Sequence, residues 1–460
     1  MNTLIAITGL GIICLVAEIF NFRKAIVPVT VIGLLAVLAM PYLNIPDAGN
    51  FNNMIVTDSY GSAFSMLFIV LTIFLIALTP DFHSEYKPKI SDFVAIKLFL
   101  LTGAIAMVSF GNLAMFFLGI EILSIALYVL AASRPKDIKS NEAGMKYFLM
   151  GSFASGIILF GIALIYGATG SFDTAEIYKL ATNSEFGLRE NLPNWFFIGM
   201  VLLTIGLLFK IAAVPFHFWA PDVYEGSPAL TTATMSTLAK VAAMAAFFKL
   251  MRSMNFQVVG SYITVLSIVA ILSMTIGNLL ALKQNNVKRM LAFSGISHAG
   301  YMLMVFYNPP ATADILFYYA AAYALAGIAA FAVVLYVSKN TNGEDIFNFN
   351  GLGKTNPLMA AILTLSLLSM GGIPILSGFF GKFFLFNEVI HTNHIAIVIV
   401  AVINSIISIG YYFKLILAMY TKESTEKMQP VPFAYGAVAL LAILLNIAMG
   451  LYPSCLLDLL

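Results

Sequence analysis

LLTIGLLFKIAAVPFHF, residues 202–218, puts a lysine, a proline and a histidine inside one apolar run. An ionisable side chain at the centre of a bilayer costs about 2.5–3.5 kcal/mol or more, so by default it marks an ion or proton path. Pro215 lacks a backbone donor and breaks a helix. Lipid cannot satisfy the backbone groups so freed, so the break must face protein or water. The stretch therefore reads as an interrupted transmembrane helix. Lys210 sits at the end of its first half, where unpaired carbonyls favour a cation.

Composition agrees. Of 460 residues, 60% are hydrophobic and 10% charged, with a mean hydropathy of +0.94. A soluble domain carries about 25% charged residues. The chain reads as an all-α polytopic membrane protein, since its apolar runs are too long for barrel strands. A net charge of +2 gives no nucleic-acid footprint, and Cys14 and Cys455 suggest neither a disulfide framework nor a metal cluster. The run at about 3–22 has no basic leader and no cleavage site, and reads as the first span.

The pattern predicts about fourteen spans, at about 3–22, 25–43, 60–79, 91–110, 112–132, 141–167, 194–225 (interrupted), 229–251, 257–281, 286–307, 312–338, 356–391 (interrupted), 395–420 and 431–454. Of the 24 basic residues, fourteen fall in the connections after odd-numbered spans and three in the opposite set. The first set includes Lys87, Lys89, Arg134, Lys139, Lys288 and Lys427; the second is Lys179, Arg189 and Arg252, in connections that also hold Glu185 and Glu190. The bias places both termini on the outer, periplasmic side of a bacterial inner membrane.

A weak repeat is present. IGLLFKIAAVPFHF (205–218) is similar to LSLLSMGGIPILSG (365–378). The prolines fall in spans 7 and 12, an odd offset, so the five-helix repeats should be inverted, with paired discontinuous helices at the midplane. This divides the chain into 1–90, 91–252 (spans 4–8), 253–420 (spans 9–13) and 421–460. Lys210 aligns with Ser369, so the repeats differ in chemistry. In a second register, Gly295-Ile296-Ser297 aligns with Gly119-Ile120-Glu121.

Further ionisable groups lie within spans: Glu121 in GNLAMFFLGIEILSIALYVL (111–130), Lys240 in TTATMSTLAKVAAMAAFF (231–248) and Lys382 in GGIPILSGFFGKFFLF (371–386). Lysine suits a proton path because burial shifts its proton affinity readily. Glu121 is expected to pair with Lys210, as a switch or as a static ion pair. Small hydroxyl residues before Lys240 should leave room for water; the alternative is a packing lysine bonded to carbonyls. Lys146 follows Glu142 by one helical turn, which fits a structural pair as well as a carrier. His217 and His298 can relay protons or be satisfied buried histidines. Lys97, Lys249 and Lys414 read as snorkelling lysines. Asp222 and Glu225 in WAPDVYEGSP (219–228) read equally as a funnel or as helix caps. No motif for redox chemistry or nucleotide binding is present; the Gly-Lys near 381–382 lacks P-loop spacing.

GMKYFLMGSFASGIILFGIALIYG (144–167), LLFKIAAVPFHFWAPDVYEGSPA (207–229), AFSGISHAGY (292–301) and GIPILSGFFGKF (372–383) resemble the antiporter-like membrane subunits of respiratory complex I. The likeness is close over about 91–420 and loose in the terminal helices. The PDVYEGSPA string and the stop after span 14 fit the type without a long lateral helix. The resemblance implies that Glu121, Lys210, Lys240 and Lys382 form a buried charged axis for protons, and adds Lys146. It implies a subunit of an H+-translocating NADH:quinone oxidoreductase, with quinone reduction elsewhere driving proton transfer here. It also implies that NADH, flavin and iron–sulfur clusters belong to other subunits, that this chain has no cofactor, and that its partners are neighbouring membrane subunits and lipid. The rival readings are a cation/proton antiporter subunit and a structural membrane-arm subunit with static ion pairs.

Overall fold

The computed structural model describes residues 1–460 except 21, 44–50, 52, 84–89, 183–192, 255–260, 342, 424–427 and 459–460. Lys87, Lys89, Glu185, Arg189, Glu190 and Lys427 therefore lie outside the described residues. Among the described residues the chain is helical, with no strand. The helices used below are α1 (Asn2–Ile19), α2 (Arg23–Ala39), α3 (Ser59–Ala77), α4 (Ile90–Val108), α5 (Leu113–Ala131), α6 (Ile138–Thr169), α7 (Asn194–Lys210) and α8 (Trp219–Gly226). Then follow α9 (Ala229–Ser253), α10 (Tyr262–Leu282), α11 (Val287–Tyr307), α12 (Ala313–Thr341), α13 (Pro357–Gly371), α14 (Ser377–His391), α15 (Ile395–Thr421) and α16 (Phe433–Leu451).

Eleven described helices are long and apolar enough to cross a membrane. The other three expected spans rest on shorter helices: α2 with 17 residues, α7 with 17 and α13 with 15. α7 and α13 are short because both expected interruptions are present. The backbone leaves the helix over 211–218 and again over 372–376, around the two prolines. Ala212 (φ +58°) and Ile375 (φ +82°) adopt strained left-handed conformations within the breaks.

Polar caps start the helices where the sequence supplies them. Asn112 accepts from Met115 N at the head of α5, and Asn286 from Arg289 N at the head of α11. These two caps belong to one recurring device. Leu113 N donates to Phe172 O and Thr174 N to Gly111 O; likewise Val287 N donates to Glu344 O and Ile346 N to Asn285 O. The first hairpin lies by a cavity lined by Gly111, Thr174 and Arg252, the second by one lined by Asn286, Glu344 and Ser227. α9 starts beside Ser227 and ends at Ser253, so the two hairpins sit at opposite ends of the bundle. An inverted repeat requires that.

The recurrence corrects the second sequence register. Counting on from the matched caps, Glu121 corresponds to Gly295, two residues before Ser297. Helix packing agrees: Gly103 lies against Gly119 O and Leu123 N, and Gly277 against Phe293 O and Ser297 N.

α12 is wholly enclosed by other helices, and α9 and α11 are nearly so, whereas α1, α6 and α15 keep broad apolar outer faces. Buried amides join neighbouring helices, a substitute for the hydrophobic drive that lipid removes. Asn278 of α10 donates to Asn404 O of α15 at 2.9 Å, and Asn446 of α16 to Ala322 O of α12 at 2.9 Å. Ser369, the repeat mate of Lys210, spends its hydroxyl on Asn446 Oδ1 at 2.9 Å. Asn446→Leu should therefore destabilise the assembled protein by about 0.6–1.7 kcal/mol, lowering Tm in detergent without abolishing assembly; an unchanged Tm would show that this bond contributes nothing.

Candidate functional site

The interior of the bundle brings Lys210, Lys240, His298 and Lys382 into one polar line. Lys210 ends α7 and donates to Ser124 Oγ at 2.7 Å and Ser155 Oγ at 3.3 Å. The direct ion pair expected with Glu121 is not formed in this conformation. Ser124, one turn along α5 from Glu121, holds the lysine instead, and Glu121 Oε1 is buried without a protein hydrogen-bond partner.

A cavity of ≈ 20 Å³ lies between the first two lysines, lined by Ser124, Lys210, Tyr224 and Lys240 among others. That is room for about one water. Lys240 itself is buried, and its ammonium has no protein hydrogen-bond partner. It faces the Tyr224 ring at 5.9 Å. A Cβ on Gly295 would stand 2.5 Å from its Nζ, so a side chain there would make the end of the lysine shift. The repeat position that holds a carboxylate at Glu121 is Gly295, which lies against this lysine.

The turn just before Lys240, Met235–Ala239, is π-helical. Such turns recur at functional sites, since one residue is inserted into the helical ladder. The cavity beside Lys240 is lined here by Met235 and Ala239 rather than by the hydroxyls. Thr232 bonds Tyr224 O, Thr234 bonds Leu230 O and Thr237 bonds Ala233 O, so these side chains close on backbone. Ser236 alone in this turn reaches across, to the Tyr323 hydroxyl at 3.3 Å.

Beyond Lys240 the line continues through aromatic hydroxyls. His298 packs on the Tyr323 ring at 4.8 Å, with Nδ1 2.7 Å from the Tyr319 hydroxyl and Nε2 3.4 Å from that of Tyr412. Tyr412 also bonds Ser294 at 2.6 Å. Past Tyr301, whose ring faces Lys382 Nζ at 4.8 Å, lies the last lysine. Lys382 reaches back from α14 to the end of α13. It donates to Met370 O at 3.1 Å, Gly371 O at 3.1 Å and Ser405 Oγ at 3.0 Å. A cation on the last carbonyls of a helix is electrostatically favourable. Gly372, at φ +84°, lets the chain turn away there.

The other expected residues fall elsewhere. Lys146 is exposed, because α6 buries Ala143, Gly144 and Tyr147 on its opposite face. It pairs with Glu142 at 2.7 Å and Asp222 at 3.5 Å. Asp222 and Glu225 are not caps: Arg289 holds them at 2.7 and 2.9 Å. His217 is buried in the first break, its Nδ1 without a protein partner, and no bond joins it to the lysines. Lys97 is not snorkelling; it is buried and donates to Thr79 Oγ1 at 2.5 Å. Lys249 pairs with Asp58 at 2.9 Å, and Lys414 reaches Gln284 O at 2.9 Å.

Comparison with known proteins places this arrangement. Residues 111–408 match the family described as NADH:quinone oxidoreductase/Mrp antiporter, TM. The chain is 66% identical to NADH-quinone oxidoreductase subunit N of Flavobacterium johnsoniae, over all of both chains. The chain belongs to the NADH-quinone oxidoreductase subunit N family. It is also 61% identical to the subunit N of Flavobacterium psychrophilum, again over all of both chains. Among solved structures it is similar to a chain of respiratory complex I from Thermus thermophilus, with TM-score 0.85 and 29% identity over 99% of this chain and 98% of that one. It shares its fold with a chain of the Mrp complex from Dietzia, with TM-score 0.84 and 22% identity over 99% and 94% of the two chains.

Lys240 and Lys382 differ in a measurable way. Lys382 donates to three acceptors, of which Gly371 O also takes the Ser405 hydroxyl, so Lys382→Met should lower stability by about 1–3 kcal/mol in all. Lys240 satisfies none, so Lys240→Met should leave Tm unchanged or raise it, as replacing unfavourable buried charge commonly does. Thermal unfolding of the purified assembly checks both; a large loss at Lys240 would mean a structural role for its ammonium.

Proposed function

We propose that this chain carries protons across the membrane, as the subunit N of an H+-translocating NADH:quinone oxidoreductase, along Glu121, Lys210, Lys240, His298 and Lys382. The observation that carries this reading is the Lys240 ammonium. It is buried without a protein partner, between a water-sized cavity on the Lys210 side and a chain of hydroxyls and imidazole on the Lys382 side. Static charges are paired or bonded; an unpaired one suits transfer.

Protonated Lys210 is held by two serine hydroxyls, each of which can donate as well as accept. When Glu121 swings toward Lys210 it supplies a counter-charge and holds the proton there. When it swings away, Lys210 passes the proton through the small cavity to Lys240. Ser236, Tyr323, His298 and Tyr412 then offer hydroxyl and imidazole sites toward Lys382. Lys382 releases the proton to the far side, its ammonium balanced until then by the end of α13. Moving one charge against 100 mV requires about 2.3 kcal/mol, on the scale of making or breaking one such ion pair.

Electron transfer takes place in other subunits, which hold the NADH site, flavin and iron–sulfur clusters. This chain works in the bacterial inner membrane beside other membrane-arm subunits, with both termini on the periplasmic side. Lys146, His217 and the repeat boundaries at 91–252 and 253–420 belong to the same reading in supporting roles: Lys146 couples to the Asp222–Arg289 cluster, and His217 stands in the first break.

The pair tests the reading. Glu121→Gln and Lys210→Met should each lower proton uptake per electron in inside-out vesicles, with assembly checked on native gels. The double variant should assemble at least as well as the worse single variant and still pump poorly. Full pumping by the double variant would make the pair structural. Cation/proton exchange by the isolated chain in liposomes would favour an antiporter instead.

A further inference from the structure

Tyr128 carries a buried hydroxyl that the proton line does not use. It stands on α5 four residues beyond Ser124 and seven beyond Glu121, so the three share one face of the helix. The residue is 8% exposed, and its hydroxyl has no protein hydrogen-bond partner. A polar group buried in this way is costly and uncommon. The ring that carries it is clamped. Tyr147 packs edge-on against it at 4.9 Å and Phe148 at 5.8 Å, and Tyr147 in turn stacks on Trp219 at 4.7 Å. The hydroxyl lies against bare backbone of α6: a Cβ on Gly151 would collide with it and with the ring atoms behind it.

The two serines that hold Lys210 lie next to this hydroxyl. Ser124 is one turn from Tyr128 on α5, and Ser155 is one turn from Gly151 on α6. Both stand beside the tyrosine oxygen without bonding it in this conformation. The serines are not equivalent. Ser124 donates its proton to Ile120 O at 2.7 Å and accepts from Lys210, so both of its roles are taken. Ser155 accepts from Lys210 at 3.3 Å, its one hydrogen bond among the described residues, so its proton can turn.

Loss of a proton changes what Lys210 needs. The ammonium only donates, whereas the neutral amine also carries a lone pair that accepts. Ionised Glu121 is an acceptor only, so it serves the ammonium and not the amine. We infer that Tyr128 is a positioning residue for Lys210, its hydroxyl and that of Ser155 forming a pair that reverses as the lysine loses and regains its proton. With the ammonium present, Lys210 donates to Ser155 and Ser155 to Tyr128. With the amine, Tyr128 donates to Ser155 and Ser155 to Lys210. Each hydroxyl keeps its own proton, so the pair stays neutral and serves both states. This inference rests on the proton-carrying reading above and goes beyond it by assigning what receives Lys210 once its proton has gone.

The test is a double-mutant cycle in the assembled complex, read as the rate of NADH-driven proton uptake in inside-out vesicles. Tyr128→Phe deletes the hydroxyl and keeps the ring. It should assemble with Tm unchanged and slow uptake about two- to tenfold, the worth of one hydrogen bond. Ser155→Ala should slow uptake at least as much, and Ser155→Thr, which keeps a hydroxyl, should recover the rate that Ser155→Ala loses. The double variant Tyr128→Phe, Ser155→Ala should be no slower than Ser155→Ala, because groups that act through one another are not additive. Unchanged uptake or a lowered Tm in Tyr128→Phe, its failure to assemble, an assembled Ser155→Thr no faster than Ser155→Ala, or losses that multiply in the double variant overturns the inference alone. Lys210→Met separates it from the reading beneath it: if that variant takes up protons at the normal rate, the proton-carrying reading fails instead.

Discussion

One buried ammonium organises the interior. Lys240 sits on a wholly buried stretch of α9 with no protein hydrogen-bond partner. A charge buried there without a protein partner is costly, and a proton path requires one that water or hydroxyls can reach. The surroundings fit that requirement. A π-helical turn precedes it, Gly295 makes room for it, and a water-sized cavity and the Tyr323 hydroxyl flank it. The enclosing helices α11 and α12 supply the small residues and tyrosines that shape this space.

Symmetry explains how such a site arose from ordinary parts. The hairpins capped by Asn112 and Asn286 are built alike at opposite ends of the bundle. Each introduces a helix that runs toward the middle. In the first repeat that helix carries Glu121; in the second the same position is Gly295, against the lysine of the first. The two breaks have diverged in the same manner. Lys210 ends the first half-helix, whereas Ser369 ties the second to Asn446 and Lys382 caps it from beyond the break.

Much of this was legible in the sequence, for physical reasons. Apolar runs of membrane length fix the helices, and prolines beside small residues fix both breaks. The basic residues alternate, and the connections after α5, α8, α10 and α12 meet around one cavity. The lysines at 210, 240 and 382 stand out because charge is so costly where they lie. Other features left weaker signals. Tyr319, Tyr323 and Tyr412 look like ordinary apolar-helix aromatics, although the one-turn spacing of Tyr319 and Tyr323 marks a shared face. The π turn has no sequence signature. For Lys146 the sequence left a structural pair with Glu142 and a carrier both open; packing shows that α6 turns it outward, where it pairs with Glu142 and Asp222. Lys97 misled, since a position near a helix end does not reveal that α3 covers it.

The most direct test of the account is proton uptake per electron by the assembled complex carrying Lys240→Arg. Arginine keeps the charge at this position but does not deprotonate in proteins. If Lys240 must give up and regain a proton, the arginine variant should assemble, retain quinone reduction and pump as poorly as Lys240→Ala. Wild-type stoichiometry from an assembled Lys240→Arg complex would contradict the account and leave Lys240 as a fixed charge.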